Sequence, residues 1–225
     1  MKWFSERKSL IESVLKMNNL GINQGASGNA SIRVEDGFLI TPSGVVYEDL
    51  EPEDIVFVDT QGASHPDKIN RKPSSEWRFH LDILNARDDL NAIVHTHGKS
   101  VATLACLRKE IPPFHYMIAL AGGNTIRCAE YETFATQSLS SAALIALEGR
   151  KACLLANHGQ IACGTSLKQA LAIALEVETL ADIYLRILAS GQSPFLLTDE
   201  QMQEVHARFS KGYGTAGSLQ NERRG

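Results

Sequence analysis

The chain is poor in the residues that would commit it to several protein classes. Its 225 residues include four cysteines, and Cys106, Cys128, Cys153 and Cys163 form no C-x-x-C pair, so they suggest neither a disulfide framework nor a cysteine zinc site. They read as small buried hydrophobes of a reducing compartment. Charge of one sign is not in excess. The net charge is -4 and the pI about 6.0, without basic clusters or interleaved aromatics. That leaves no electrostatic footprint for nucleic acid or an anionic membrane, and favours a small-molecule ligand. Long apolar runs are also missing: stretches such as Ala142 to Leu147 and Ala170 to Leu175 fall far short of the ~20 residues that cross a bilayer. The start, from Met1 to Lys8, carries charges where a secretory leader needs an apolar core, so the cytoplasm is the expected compartment.

What remains is enough apolar material, 44% of residues, for one sizeable core. A single domain over residues 1–213 is expected, followed by a polar, mobile tail over 214–225. Leu10, Val14 and Met17 recur at helical spacing before Gly21. Residues 30–34 and 38–41 flank Asp36-Gly37 as a hairpin, residues 55–58 form a third strand, and residues 59–72 read as a polar loop. Pro73, Ser74 and Ser75 start a helix whose stripe is Trp77, Leu81 and Leu84, with Glu76 in its first turn. Further helices are expected over 99–107, 138–147, 166–190 and 198–209, and a second hairpin turns at Asn157-His158-Gly159. The segment from Ile111 to Ala121, interrupted by Pro112 and Pro113, is ambiguous. Strands alternating with helices, and hairpins among the strands, argue for layered α/β packing around a partly antiparallel sheet.

The most informative run is Ile93-Val94-His95-Thr96-His97. In a strand, alternate side chains share a face, so both imidazoles point the same way. Neutral imidazoles suit zinc, and a third histidine with a displaceable carboxylate completes a four-coordinate shell suited to catalysis. His158 on its turn and Glu76 at its helix start are the candidates. A substrate that displaced Glu76 would leave its carboxylate beside metal and substrate, placed to move a proton. Taken alone, an H-x-H strand is more often a pair of satisfied histidines than a ligand pair. His65, His80 and His206 read as bystanders, and His115 is left open. Three polar corners can cradle an anion on backbone amides: Gly28-Asn29, Ser43-Gly44 and Ser74-Ser75. The plainer reading of each in isolation is a turn glycine or a helix cap.

Together, Asn23-Gln24-Gly25, Gly28-Asn29, Ile40-Thr41-Pro42-Ser43-Gly44, Pro73 to His80, His95-Thr96-His97, His115 to Ala119 and Asn157-His158-Gly159 resemble the class II aldolase/adducin family. The resemblance runs from the first helix to about Phe209. It implies a single-domain, three-layer α/β/α fold with a mostly antiparallel central sheet. It further implies a cyclic homotetramer with active sites between subunits and one zinc ion per subunit. His95, His97 and His158 would hold zinc, with Glu76 as displaceable ligand and acid/base. Gly28, Asn29, Ser43, Gly44, Ser74 and Ser75 would bind a substrate phosphate, and Tyr116 of an adjacent subunit would handle a proton on the aldehyde-derived oxygen. The implied reaction splits a ketose 1-phosphate, of the L-fuculose 1-phosphate type, into dihydroxyacetone phosphate and an aldehyde such as L-lactaldehyde. No role for Tyr213 carries over, because the spacing from Phe209 differs by one residue. Alternatives with a related site are an L-ribulose-5-phosphate 4-epimerase and, less closely, a methylthioribulose phosphate dehydratase. Against the epimerase, Phe114-His115-Tyr116-Met117 stands where epimerases resemble Thr-His-Ala-Asp. A non-catalytic adducin-like interaction module would have no need of three histidines and Glu76.

Overall fold

The structure is a computed structural model that describes residues 1–68 and 70–211. The expected tail at 214–225, and Tyr213, lie outside the described residues. The elements run α1 (Phe4–Asn19), β1 (Asn29–Val34), β2 (Gly37–Ile40), β3 (Val56–Asp59), β4 (Ser64–His65), α2 (Trp77–Ala86), β5 (Ala92–Thr96) and α3 (Lys99–Cys106). After these come β6 (Cys128–Ala129), α4 (Gln137–Ala146), β7 (Ala152–Leu155), β8 (Gly159–Gly164), α5 (Leu167–Ala189) and α6 (Asp199–Ser210). The strands form one sheet in the order β4-β3-β2-β1-β5-β8-β7-β6, antiparallel throughout except for the β6–β7 pair.

Strand alternation divides the core in two. Leu39, Ala92, Val94 and Ala162 face α1, α3 and α5, where Leu10, Val14, Leu104, Leu171 and Val177 pack. Their neighbours Phe38, Ile40, Ile93, Ile161 and Cys163 face the opposite way, onto Phe79, Ile83 and Leu84 of α2 and Leu139 and Ala143 of α4. Both faces of the central strands are therefore covered, giving a three-layer α/β/α molecule with a mostly antiparallel sheet. Among the described residues no helix is long and apolar enough to cross a membrane.

Several boundaries differ from the sequence expectation, each for a local reason. The first reversal falls on Glu35-Asp36, one residue early, because Val34 pairs with Gly37 and Asp36 takes the left-handed conformation at φ 64. The expected polar loop at 59–72 contains β4, whose two residues pair with Phe57 and Val58. Glu76 is not inside the first turn of α2 but caps it, at φ -98 and ψ 12. Thr198 and Gln201 form both bonds of the capping box that opens α6. The ambiguous segment begins with a bridge from Ile111 to Ile126 and ends in a 3-10 helix over Tyr116–Ala121.

Candidate active site

His95 shares the parity of Ile93 and therefore faces α2, where Glu76 caps the helix above β1 and β5. β5 ends at Thr96, so His97 sits one residue past the strand, yet its Nε2 lies 2.8 Å from Nε2 of His95. His158 enters from the β7–β8 turn, set up by Asn157 at φ 56. Its Nε2 is 3.3 Å from Oε1 of Glu76, while Oε2 of Glu76 is 3.1 Å from Nε2 of His95. The four ligand atoms lie within 4.8 Å of one another, and they form the one such group among the described residues.

This donor set fits a metal ion. Donors at the corners of a tetrahedron around zinc, with bonds of about 2.0 Å, stand roughly 3.3 Å apart, close to the spacings here. Nδ1 of His95 donates to the carbonyl of Gln160 at 2.8 Å, so in the neutral ring Nε2 is the lone-pair nitrogen, placed between His97 and Glu76. Oε1 of Glu76 is buried and, despite its nearness to His158, accepts no hydrogen bond within the fold. A buried carboxylate oxygen without a donor, facing converging imidazole nitrogens, is the arrangement a cation completes. Burial works against ionising Glu76, but the charge and hydrogen bond of His95, then His158 and Asn29, outweigh it and hold its pKa at about 2. Burial similarly opposes protonating His95, and Glu76 overrides it, raising His95. His97 falls to about 3 and His158 to about 4, first through burial and then through the charge of His95. Both are therefore neutral near pH 7, the state in which imidazole ligates a metal.

The anion corners are partly assembled. Ser43 N–H donates to the carbonyl of Lys72 and Ser74 N–H to that of Thr41, each at 3.0 Å, which sets Ser43-Gly44 beside Ser74-Ser75. Ser75 and Ser27 line a cleft of about 300 Å³ together with Glu76, His97 and His158. Gly28 lies directly against β5, where an added Cβ would meet the His95 carbonyl oxygen. The Asn29 side chain is turned inward: its Nδ2 donates to Oε2 of Glu76 at 3.0 Å. Tyr116 does not line the cleft of its own chain; it is stacked on His115 near Phe209 of α6.

Three features escaped the sequence reading. Tyr131 and Phe134, both exposed, line the same cleft as Glu76 and His158. No periodic pattern flags them, because they lie in an irregular segment between β6 and α4. His80, read as a helix bystander, is wholly buried against Asn29 and Ser31. Its position, four residues after Glu76 and so on the same helix face, is the signal that was available.

Fold and donor set together define a three-layer protein whose covered, mostly antiparallel sheet carries a Glu/His3 group that could hold a metal ion. Comparison with known proteins narrows this. Residues 8–185 match the class II aldolase and adducin N-terminal domain family. A 5-methylthioribulose-1-phosphate/5-deoxyribulose-1-phosphate aldolase of Rhodospirillum rubrum is 51% identical, over 95% of this chain and 94% of its own. An L-fuculose phosphate aldolase of Escherichia coli is 47% identical, over 92% of this chain and 94% of its own. The solved structure of an L-fuculose 1-phosphate aldolase superposes with a TM-score of 0.87 at 38% identity, covering 92% of this chain and 96% of that one. The chain belongs to the class II aldolase and adducin family, and it is an enzyme of the aldolase type within it.

Proposed function

We propose that this protein reversibly cleaves a ketose 1-phosphate to dihydroxyacetone phosphate and a short aldehyde, with zinc as its metal ion. The observation that carries the reading is the Glu76, His95, His97 and His158 group, of which Glu76, His97 and His158 line a cleft together with Ser75. A zinc ion held there would supply Lewis acidity, offsetting the negative charge that develops when the bond beside a carbonyl breaks.

The chain's own residues do the rest. Ser43, Gly44, Ser74 and Ser75, with Gly28 and Asn29, hold the phosphate at the helix entrance. Tyr116 of a neighbouring subunit assists removal of the C4 hydroxyl proton, which leaves to solvent, as the C3–C4 bond breaks and the aldehyde forms. The electron pair of that bond passes into the C2 carbonyl, giving an enediolate, and a proton taken up by Glu76 is delivered to C3, replacing the one lost at C4 so that none is gained overall. In the synthetic direction Glu76 removes that proton. This division of labour needs an oligomer with sites between subunits, which the resemblance makes a cyclic homotetramer, and the standing of Tyr116 away from its own cleft supports a shared site.

Tyr131 and Phe134 give the aldehyde end of the cleft an aromatic wall. That suits an aldehyde with a deoxygenated or thioether terminus, such as L-lactaldehyde from L-fuculose 1-phosphate. The 51% identity to the Rhodospirillum rubrum protein favours a second reading, cleavage of 5-deoxyribulose or 5-methylthioribulose 1-phosphate. Product analysis of the zinc-loaded protein against these three ketose phosphates and L-ribulose 5-phosphate tests the proposal. Release of dihydroxyacetone phosphate from at least one ketose 1-phosphate is expected. Epimerisation of L-ribulose 5-phosphate without that release, or no reaction at all, would refute it.

A further inference from the structure

Behind Glu76 runs a line of buried polar side chains, Asn29, His80 and Ser31, whose hydrogen bonds to one another the proposed chemistry does not use. Nδ2 of Asn29 is 3.0 Å from Oε2 of Glu76, Oδ1 of Asn29 is 2.6 Å from Nε2 of His80, and Nδ1 of His80 is 2.7 Å from Oγ of Ser31. Ser31 and His80 are 0% exposed, Asn29 is 2% exposed and Glu76 5%, so no solvent stands in for a lost partner. The directions of these bonds follow from one end. An ionised carboxylate only accepts, so Asn29 must present its NH2 group to Glu76 and its carbonyl oxygen to His80. His80 must then donate from Nε2, and its bare Nδ1 must accept from the Ser31 hydroxyl. Burial keeps the His80 ring neutral, with a pKa of about 3, which a single-donor role requires. The reverse assignment, with Nδ1–H donating to Ser31, turns the Asn29 carbonyl oxygen toward the Glu76 carboxylate. That places two acceptors face to face.

We infer that His80 is a positioning residue: held by Ser31 as the Nε2–H tautomer, it locks the Asn29 amide so that its NH2 group faces and orients the Glu76 carboxylate. The line alternates between two elements: Glu76 and His80 lie one turn apart on α2 and its N-cap, and Asn29 and Ser31 share a face of β1. The lock itself is a property of the fold. Its consequence for metal affinity rests on the metal reading above.

Two measurements on the full-length protein test this. Nitrogen-15 NMR of the imidazoles should show His80 as a fixed Nε2–H tautomer from about pH 6 to about pH 8. An Nδ1–H tautomer, or an imidazolium in that range, overturns the proposal. Competition with a chelator should show His80→Phe weakening zinc binding by about 10- to 100-fold, the scale on which residues behind metal ligands act. His80→Gln, whose side-chain amide can donate where Nε2 did, should recover most of it. A packing role alone gives the opposite order, because Phe keeps the ring stacked on Phe79 and Gln does not. Wild-type affinity in a folded His80→Phe protein also overturns the proposal. If the Phe variant does not fold, the tautomer and the Gln variant decide. Wild-type protein that takes up no zinc refutes the metal reading alone, and the tautomer then decides this one.

Discussion

Replacing Gly28 by alanine separates two roles that glycine can have at an anion corner. A Cβ there would stand 2.4 Å from the His95 carbonyl oxygen, 2.8 Å from Oδ1 of Asn23 and 2.9 Å from Cε of Met17, whereas ordinary contact begins at 3.4 Å. Asn23 and Met17 can rotate aside, but the His95 carbonyl belongs to the backbone of β5. The start of β1 must therefore open from β5 by about 1 Å. Overpacking of this kind costs about 1–3 kcal/mol, and a backbone obstacle puts Gly28→Ala near 3. At roughly 2–4 °C per kcal/mol for a chain of this size, the melting temperature should fall by about 6–12 °C. Asn29 pairs with His95 across the same opening and bonds to Glu76, so the displacement reaches the proposed proton-transfer group. A misplacement of about 1 Å can lower kcat/KM by about 100-fold. Gly44→Ala is the control: its φ of +70 strains an alanine, but nothing lies within 4 Å. It should cost about 1 kcal/mol, or roughly 2–4 °C. Scanning fluorimetry with ketose 1-phosphate kinetics reads both variants. A Gly28→Ala protein that melts within about 2 °C of wild type and keeps its kcat/KM would refute the steric argument.

Other perturbations follow from the same geometry. His158→Ala removes one of four donors and should reduce zinc affinity by more than the ~10–100-fold typical of outer residues, measured as metal retained after dialysis; full occupancy contradicts the ligand assignment. Glu76→Gln should keep metal on three imidazoles but slow exchange of the C3 proton of dihydroxyacetone phosphate by about 10²- to 10⁴-fold; unchanged exchange removes Glu76 from the proton transfer. Tyr116→Phe and Glu76→Gln should each be nearly inactive alone, while subunits mixed at random should regain activity in about a quarter of their sites if each site draws on two subunits. No recovery would place Tyr116 elsewhere. Lowering pH should destabilise the metal-free protein. His80, His97 and His158 have folded pKa values of about 3, 3 and 4 against an ordinary 6.5, so their contribution is full above 6.5 and is lost as pH falls below it. Glu76, at about 2 against 4.5, adds a loss below 4.5, while the raised His95 opposes both trends. A urea midpoint constant from about pH 7 to about pH 5 would contradict these directions.

Much of this architecture was legible in the chain because it rests on short-range rules. The hairpins announce themselves at Asp36-Gly37 and Asn157-Gly159, and the amphipathic stripes of α1, α2 and α5 mark one face each. The His-x-His spacing sends two imidazoles to one side by strand parity alone. β4 and β6 were not legible, since two residues carry no period and each exists only through its neighbour, β3 or β7. The convergence of His158 and Glu76 on the His95 pair is a tertiary contact: local pattern could nominate His158 and Glu76 as the missing ligands, but only the family resemblance tied all four to one site. His80 was missed because burial at a site is a tertiary property: on the α2 wheel it is one more polar residue on a helix. Tyr131 and Phe134 were missed for the complementary reason, lying in irregular backbone where no pattern distinguishes a cleft wall from a loop.

The most direct test is an anomalous-diffraction structure of the protein loaded with zinc. One ion is expected, bound by Nε2 of His95, Nε2 of His97 and a ring nitrogen of His158 at about 2.0–2.1 Å, with a Glu76 oxygen completing the shell. An ion bound elsewhere, or His158 turned out of coordination reach while zinc sits on the other residues, would contradict the three-imidazole centre.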